Sequence, residues 1–415
     1  MVSLSELTRV FARIGVLSFG GPAAQIALMH RELVEERAWL EEETFLRALS
    51  FAMLLPGPEA MQLATYAGWR LHGTVGGLIA GALFVVPGAV VVLALAALYA
   101  SFGAVPFVQA AFLGVKAAVL AIVIGALIKV AQKALKRTDY WVLAGLSFLA
   151  IFAFSLPFPL IIALAALYGA VRSGDYPTRD VPLPRAAGTG QTVVIWLTLW
   201  AAPVAILWAS GAKFLTEVAV FFSKLAVVTF GGAYAVLAYM TQEVVQDRQW
   251  LTTEQMIDAL GLAETTPGPL ILVTEFVGFL AGFSAGGVGL ALAAAALTLW
   301  VTFIPCFLWI FAGAPYLEWI SARPRLTGAL AAITAAVVGV ILNLSLWFAA
   351  HVIFARVETV TFGPLHLIAP DTASLDPIAL VLAVLAAIAL LILRWPLLRV
   401  LGIAAVLGLL AGWAV

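Results

Sequence analysis

The stretch Leu54-Leu55-Pro56-Gly57-Pro58-Glu59-Ala60-Met61-Gln62 decides how this chain is read. It lies inside an apolar run long enough to cross a membrane, yet it holds two prolines, a glycine and a carboxylate. Proline lacks an N–H and clashes with the preceding turn, so Pro56-Gly57-Pro58 is expected to interrupt a helix. Backbone freed at membrane depth is tolerated only where protein or a water-filled cavity satisfies it. The device returns 211 residues later as Thr266-Pro267-Gly268-Pro269. Two broken helices at matching positions of two repeats point to a transporter's binding site. The plainer alternative is a pair of packing kinks.

Composition agrees with a membrane setting. Of 415 residues, 64% are hydrophobic and 11% charged, with mean hydropathy +1.09. A soluble domain is about 45–50% apolar and about 25% charged. The formal net charge is zero, so nothing suggests nucleic acid. A single cysteine, Cys306, makes neither an internal disulfide nor a metal set, and the four histidines show no ligand spacing. No metal or cofactor is expected. Glu6, Arg9 and Arg13 interrupt any cleavable signal pattern.

Hydropathy and helix breakers suggest an all-α polytopic fold with spans near 8–30, 43–71 (broken at 56–58), 74–101, 105–133, 139–155 and 157–171. A polar, proline-rich linker at 172–190 and a connecting span at 191–210 follow. The remaining spans are 214–240, 253–282 (broken at 267–269), 286–312, 323–350, 376–394 and 396–414. Each crossing needs about 20 apolar residues.

The two parts are homologous. Phe19-Gly20-Gly21 matches Phe230-Gly231-Gly232, Glu32 matches Glu243, Arg37 matches Arg248, and Trp39-Leu40 matches Trp250-Leu251, all at the same offset as the two breaks. Later the offset becomes 218, where Pro87 matches Pro305 and Ala117-Ala118-Val119 matches Ala335-Ala336-Val337. We therefore divide the chain into a first repeat (1–171), the linker, the connecting helix, and a second repeat (211–415).

Loop charge predicts orientation. Arg9, Arg13, Arg70, Lys129, Lys133, Lys136, Arg137, Arg172, Arg179 and Arg185 lie on the N-terminal side. The opposite loop is dominated by Glu32, Glu35, Glu36, Glu41, Glu42 and Glu43. Lys and Arg mark the cytoplasm, which puts the N-terminus inside. With the extra connecting span, about thirteen helices in two inverted repeats are expected. If the broken helices re-enter instead of crossing, the halves become parallel.

The first span of each half carries a basic residue, a hydroxyl and a Gly-Gly pair: Arg13, Ser18, Gly20, Gly21 and Pro22, then Lys224, Thr229, Gly231 and Gly232. A dianion would want fixed positive charge, hydroxyl donors and exposed N–H groups near a helix N-terminus. Close helix packing is the alternative for Gly-Gly, and snorkelling to the interface is the alternative for Arg13 and Lys224. Pro58 and Pro269 suit the first position of a new half-helix, with Gln62 and Thr65 on one face beyond Glu59. Glu59 reads either as a first-turn acid favoured by the helix dipole or as a buried proton-coupling group. Glu264 and Glu275 pose the same choice. Lys116, alone in mid-span, reads as an attractor of anions or as the partner of one of these glutamates. The glutamate-rich loop reads as a solvated turn with a helix start near Glu41 to Glu43, and the recurring Glu32/Glu243 and Arg37/Arg248 as a contact of the fold.

These residues carry a family resemblance. Phe19-Gly20-Gly21-Pro22-Ala23, Glu32, Trp39-Leu40, Leu55-Pro56-Gly57-Pro58 through Gln62-Leu63-Ala64-Thr65-Tyr66, and Ala80-Gly81 to Pro87-Gly88 resemble the chromate ion transporter family, in its long two-domain form. The second repeat departs at Ala233, where the first has Pro22, and at Val273, where the first has Gln62. The resemblance implies secondary active efflux of chromate across the inner (cytoplasmic) membrane, driven by a proton gradient or by anion exchange. Sulfate is the chemically similar alternative. A homodimer in the lipid bilayer is compatible with it. An intramembrane enzyme is the remote rival, but no Ser/His pair, Asp pair or metal set stands at catalytic spacing. The Gly73 to Gly81 segment lacks a phosphate-loop ending, so ATP coupling is unsupported.

Overall fold

The computed structural model describes residues 2–103, 105–173, 181, 183, 188–230 and 233–414. Most of the linker and both Gly231 and Gly232 therefore lie outside the described residues. The fold is almost wholly helical, as the apolar composition requires, since only helices and closed barrels satisfy their own backbone in lipid. The helices are α1 (Leu4–Leu17), α2 (Gly21–His30), α3 (Glu42–Ala52), α4 (Glu59–Phe102), α5 (Pro106–Ala134), α6 (Thr138–Phe152), α7 (Phe158–Arg172) and α8 (Thr189–Ala209). The remainder are α9 (Lys213–Val228), α10 (Ala233–Thr241), α11 (Thr253–Thr265), α12 (Val273–Gly313), α13 (Leu317–Ser321), α14 (Pro324–Ile353), α15 (Pro377–Ala387) and α16 (Leu397–Ala414).

Among the described residues, five helical segments are long and apolar enough to cross a membrane: Glu59–Phe102, Pro106–Ala134, Thr189–Ala209, Leu270–Ser321 and Pro324–Ile353. Shorter apolar helices accompany them, including α6 and α7 at 15 residues each. At 1.5 Å per residue those two reach about 22 Å, short of a hydrocarbon core of about 30 Å. The 8–30 segment is not one helix. It breaks at Ser18–Gly20 into α1 and α2, because Gly20 and Gly21 take left-handed φ of 87° and 76°.

The repeat is visible in backbone detail. α4 and α12 each fold back at a glycine, with φ 60° at Gly73 and 78° at Gly287. The residues ending α1 and α9, Ser18 and Thr229, share φ near −76° and an unusual positive ψ. Ala38 and Gln249 are both left-handed without being glycine. Each is followed by a tryptophan under an arginine, Arg37 over Trp39 and Arg248 over Trp250. Arg37 Nη1 lies 2.5 Å from Glu32 Oε2, and Arg248 Nε 3.4 Å from Glu243 Oε2. This ion pair is the expected fold contact. Glu32 itself is fully buried, so the acidic loop is not solvated throughout. α3 does start at Glu42, inside the expected range.

The chain forms two compact units that each draw on both repeats. One comprises Met1–Ala97, Gly174–Val236 and Thr266–Thr327. Its core holds fully buried Phe11, Phe45, Phe51, Phe84, Phe221, Phe222, Phe276 and Phe279, and α12 packs on α8 and α9. The other comprises Leu98–Ser173, Leu237–Thr265 and Gly328–Val415. There α5 packs on α11, α15 and α16, and Phe158 stacks on Tyr239 at 5.3 Å between centroids. This unit also holds an antiparallel hairpin, β1 (Val357–Phe362) and β2 (Leu365–Pro370), which turns on left-handed Gly363. Large apolar side chains such as Val90, Leu98, Trp141, Leu167, Ile206 and Trp208 stay exposed on the helices. In a membrane those faces meet lipid.

Candidate functional site

The site is built where helices stop. In the first break, the Pro58 carbonyl accepts the first helical bond of α4 from the Gln62 N–H at 3.1 Å. Pro58 is thus the cap before α4 and not its first residue. Pro269 likewise caps a short 3₁₀ turn at Leu270–Leu272, with φ −65° and ψ 136°. Each proline sits one position earlier than the sequence suggests, because its carbonyl already accepts a bond from the helix that follows.

Between the prolines, Gly57 and Gly268 are left-handed, at φ 115° and 86°. That conformation turns each glycine N–H across to the other repeat. The Gly57 N–H donates to the Thr229 carbonyl at 2.9 Å, and the Gly268 N–H donates to the Ser18 carbonyl at 2.9 Å. The broken helix of each repeat is therefore bonded to the residue that ends the first helix of the other. All four segments belong to the same compact unit.

Two glutamines complete the arrangement. The Gln62 amide donates to the Pro56 carbonyl at 2.6 Å. The Gln25 amide donates to the Gly268 carbonyl at 2.6 Å and to the Ser18 carbonyl at 3.3 Å. Both side chains are buried to 1% exposure or less. They satisfy carbonyls that the breaks set free at membrane depth. At the 211 offset the second repeat has Val236 and Val273, so both glutamines come from the first repeat. Gln25 is absent from the sequence reading. Its signal is a lone amide in the apolar run Pro22 to Met29, close to a duplicated break.

α2 starts at these crossed breaks. Gly20 is its N-cap, Pro22 stands in its first turn, and no side chain caps it. A β-carbon built on Gly21 would meet no atom within 4 Å. There is thus space beside Gly21 at the positive end of the α2 dipole, where an anion would be favoured.

Other expected ligands are engaged elsewhere. Ser18 Oγ donates to the Ile14 carbonyl at 2.6 Å, Thr229 Oγ1 to Leu225 at 2.6 Å, and Thr65 Oγ1 to Met61 at 2.9 Å. Their protons serve their own helices, so they are not the free donors the sequence suggests. Arg13 Nε lies 3.6 Å from Glu32 Oε1, and Lys224 is exposed on α9. Lys116 Nζ lies 3.1 Å from Asp258 Oδ1, while Tyr99 Oη donates to Asp258 Oδ2 at 2.6 Å. Its partner is thus an aspartate, not one of the glutamates. Asp258 stands where the first repeat has Arg47, and that reversal of sign at the 211 offset is the signal to look for. Glu59 opens α4, half-buried. Glu264 falls in the last turn of α11, where the dipole disfavours an acid, so the first-turn reading fails there. Glu275 is in the first turn of α12 and is buried.

Long apolar helices, two repeats and reciprocal bonds between broken helices define a multi-pass membrane protein of transporter architecture. The chain belongs to the chromate transporter family, whose profile matches residues 5–170 and 216–409. It is 33% identical to the chromate transport protein of Pseudomonas aeruginosa, over 87% of this chain and 85% of the relative. It is 32% identical to the chromate transport protein of Cupriavidus metallidurans, over 82% and 81%. It is also 32% identical to the probable chromate transport protein of Synechococcus elongatus, over 82% and 83%. No solved structure matches the chain.

Proposed function

We propose that this chain is a secondary active transporter that exports chromate across the cytoplasmic membrane. About thirteen helices in two inverted halves alternate access to one site, with the N-terminus in the cytoplasm. The oxyanion binds at the N-terminus of α2, through the N–H groups at Gly20 and Gly21, beside Pro22 and the breaks at Pro56 to Pro58 and Pro267 to Pro269. Gln62 and Gln25 hold those breaks in place. Ser18, Thr65 and Thr229 contribute hydroxyl oxygens at the walls, and Gly231 and Gly232 play the part of Gly20 and Gly21 in the second repeat. Arg13 and Lys224 raise the local positive potential, whereas Lys116 is neutralised by Asp258 within the other compact unit. Glu59, Glu264 and Glu275 are the candidate coupling acids, with a proton gradient or anion exchange as the energy source.

The observation that supports this reading most is the reciprocal pair of bonds, Gly57 to Thr229 and Gly268 to Ser18. A contact that ties each broken helix to the other repeat gives a rocking motion something to make and break on both sides of one site. The test is radiolabelled chromate uptake into everted vesicles, with a proton ionophore and with competing sulfate. Saturable uptake that collapses with the ionophore supports proton-driven export. Vesicles that move sulfate but not chromate would reassign the substrate, since backbone N–H groups at a helix end suit either tetrahedral dianion. Absence of any oxyanion flux would refute the reading.

A further inference from the structure

α12 is a helical hairpin whose arms, 273–285 and 288–313, fold together at Gly286-Gly287. The arms touch closely. A β-carbon on Gly278 would collide with Thr298 Oγ1 and lie 3.2 Å from the Ala294 carbonyl, and one on Gly282 would lie 2.7 Å from the Leu290 carbonyl. Glu275 precedes Gly278 by three residues, on the same face and about 4.5 Å along the axis. Thr302 follows Thr298 by four residues, on the same face and about 6 Å along the arm that runs the other way. The antiparallel arms thus bring Glu275 level with Thr298 and Thr302.

These three residues are unlike their neighbours. They are 1%, 0% and 1% exposed. Among the described residues, Glu275 Oε2, Thr298 Oγ1 and Thr302 Oγ1 have no hydrogen-bond partner. Elsewhere in the buried helices, Ser18, Thr65, Thr229, Thr241 and Ser345 each donate to the carbonyl four residues back. Thr298 and Thr302 leave that local bond unmade. A buried polar atom without a partner is costly, and three on facing helix surfaces call for a common occupant. The charged residues of α9, which packs on α12, are Lys213, Glu217 and Lys224, all exposed, and the titratable side chains of α4, whose Gly77 and Gly81 meet Phe311 and Phe307, are Glu59, Tyr66, Arg70, His72 and Tyr99. α8 carries no charged residue, and Cys306 is the one titratable group on the return arm.

We propose that Glu275, Thr298 and Thr302 form the binding site of a small monovalent cation, sodium or a proton, whose movement is coupled to that of the anion. The site rests on the transporter reading for its purpose but not for its chemistry. Carboxylate and neutral hydroxyl oxygens are ligands for a hard cation. One carboxylate balances one positive charge, so the loaded site is neutral and suited to a dry interior. Divalent ions recruit more carboxylates or keep waters. Glu275 shares the helical arm that leaves the second break, six residues beyond Pro269, so occupancy acts on the element that holds the crossing.

The test measures binding before transport. Purified full-length protein is melted in sodium, potassium and choline chloride at one ionic strength, and across pH. A saturable rise in melting temperature with sodium identifies sodium, and a rise as pH falls identifies the proton. Glu275→Gln abolishes whichever response is seen. Thr298→Val and Thr302→Val, which keep the shape, each weaken the apparent affinity roughly tenfold. A wild-type protein indifferent to both cations overturns the proposal, as does a folded Glu275→Gln that responds like wild type. Should Glu275→Gln fail to fold, the two valine variants decide. Chromate flux in proteoliposomes under imposed sodium or proton gradients separates the two readings. Flux that ignores both gradients, with no cation effect on melting, removes the cation site and leaves the transporter. Cation-dependent melting without flux of any oxyanion removes the transporter and leaves the site.

Discussion

Replacing the crossing glycines by alanine probes the central contact directly. Gly57 and Gly268 hold φ of 115° and 86°, where an L-residue costs about 1–2 kcal/mol more than glycine. The two sites differ in what a methyl group would meet. At Gly57 it would stand 2.9 Å from Cys306 Sγ and 2.9 Å from Gln62 Nε2, both side-chain atoms that can shift. At Gly268 it would stand 2.9 Å from Leu272 Cδ1 and 3.3 Å from Gly88 Cα, the latter fixed backbone. Overpacking adds about 1–3 kcal/mol. We expect Gly268→Ala to lose about 2–4 kcal/mol of the crossed arrangement and Gly57→Ala about 1–3 kcal/mol. At 1.4 kcal/mol per tenfold, the Gly268→Ala range is roughly 30- to 700-fold in the population with the crossing formed. The assay is vesicle uptake of chromate at matched expression, paired with thermal denaturation. Gly145→Ala is the control, because Gly145 lies inside α6 with nothing within 4 Å of the added carbon. It should match or exceed wild-type stability by up to about 1 kcal/mol. Gly268→Ala behaving as wild type in both assays, or Gly145→Ala proving equally damaging, would refute the reasoning.

Lys116→Met and Asp258→Asn should each destabilise by about 2–4 kcal/mol, by leaving a partly desolvated charge without its partner. The double variant should recover most of that loss, and a thermal double-mutant cycle with no coupling would count against a structural pair. Gln25→Leu should cost about 1–3 kcal/mol by stripping the Gly268 carbonyl of its amide donor, and Gln62→Leu should do the same for Pro56. Thermal melts that leave both leucine variants unmoved would mean that other groups satisfy these carbonyls.

Much of this architecture is written in patterns that need only one dimension. The apolar runs, the duplicated Pro-Gly-Pro, and the Glu-Arg-Trp signature are all local, so the class of protein and its two-part build can be read before any fold is known. The β-hairpin was legible too. Val357 to Phe362 is rich in β-branched residues and Gly363-Pro364 marks a turn, but hydropathy alone, which finds helices, leaves that segment unassigned. Helix ends are legible to within one to four residues, as at 139–155 against Thr138–Phe152 and 323–350 against Pro324–Ile353, and Pro58 and Pro269 each fall one position from where they were expected.

What the tertiary structure alone decided concerns where polar groups find partners. Residues Gly57, Gly268, Ser18, Thr229 and Gln25 are far apart in the chain, and nothing local says that each break is completed by the opposite repeat. The hydroxyls looked like ligands because their type and position fit, yet a helix offers its own carbonyl four residues back, and most of them take it. Lys116 had several acids in reach by hydropathy, and packing chose Asp258. The sequence by itself established which groups must be satisfied at membrane depth, because burial follows from composition. Only the fold could say by whom, because a hydrogen bond acts over about 3 Å and such proximity between distant segments exists only after the chain has packed.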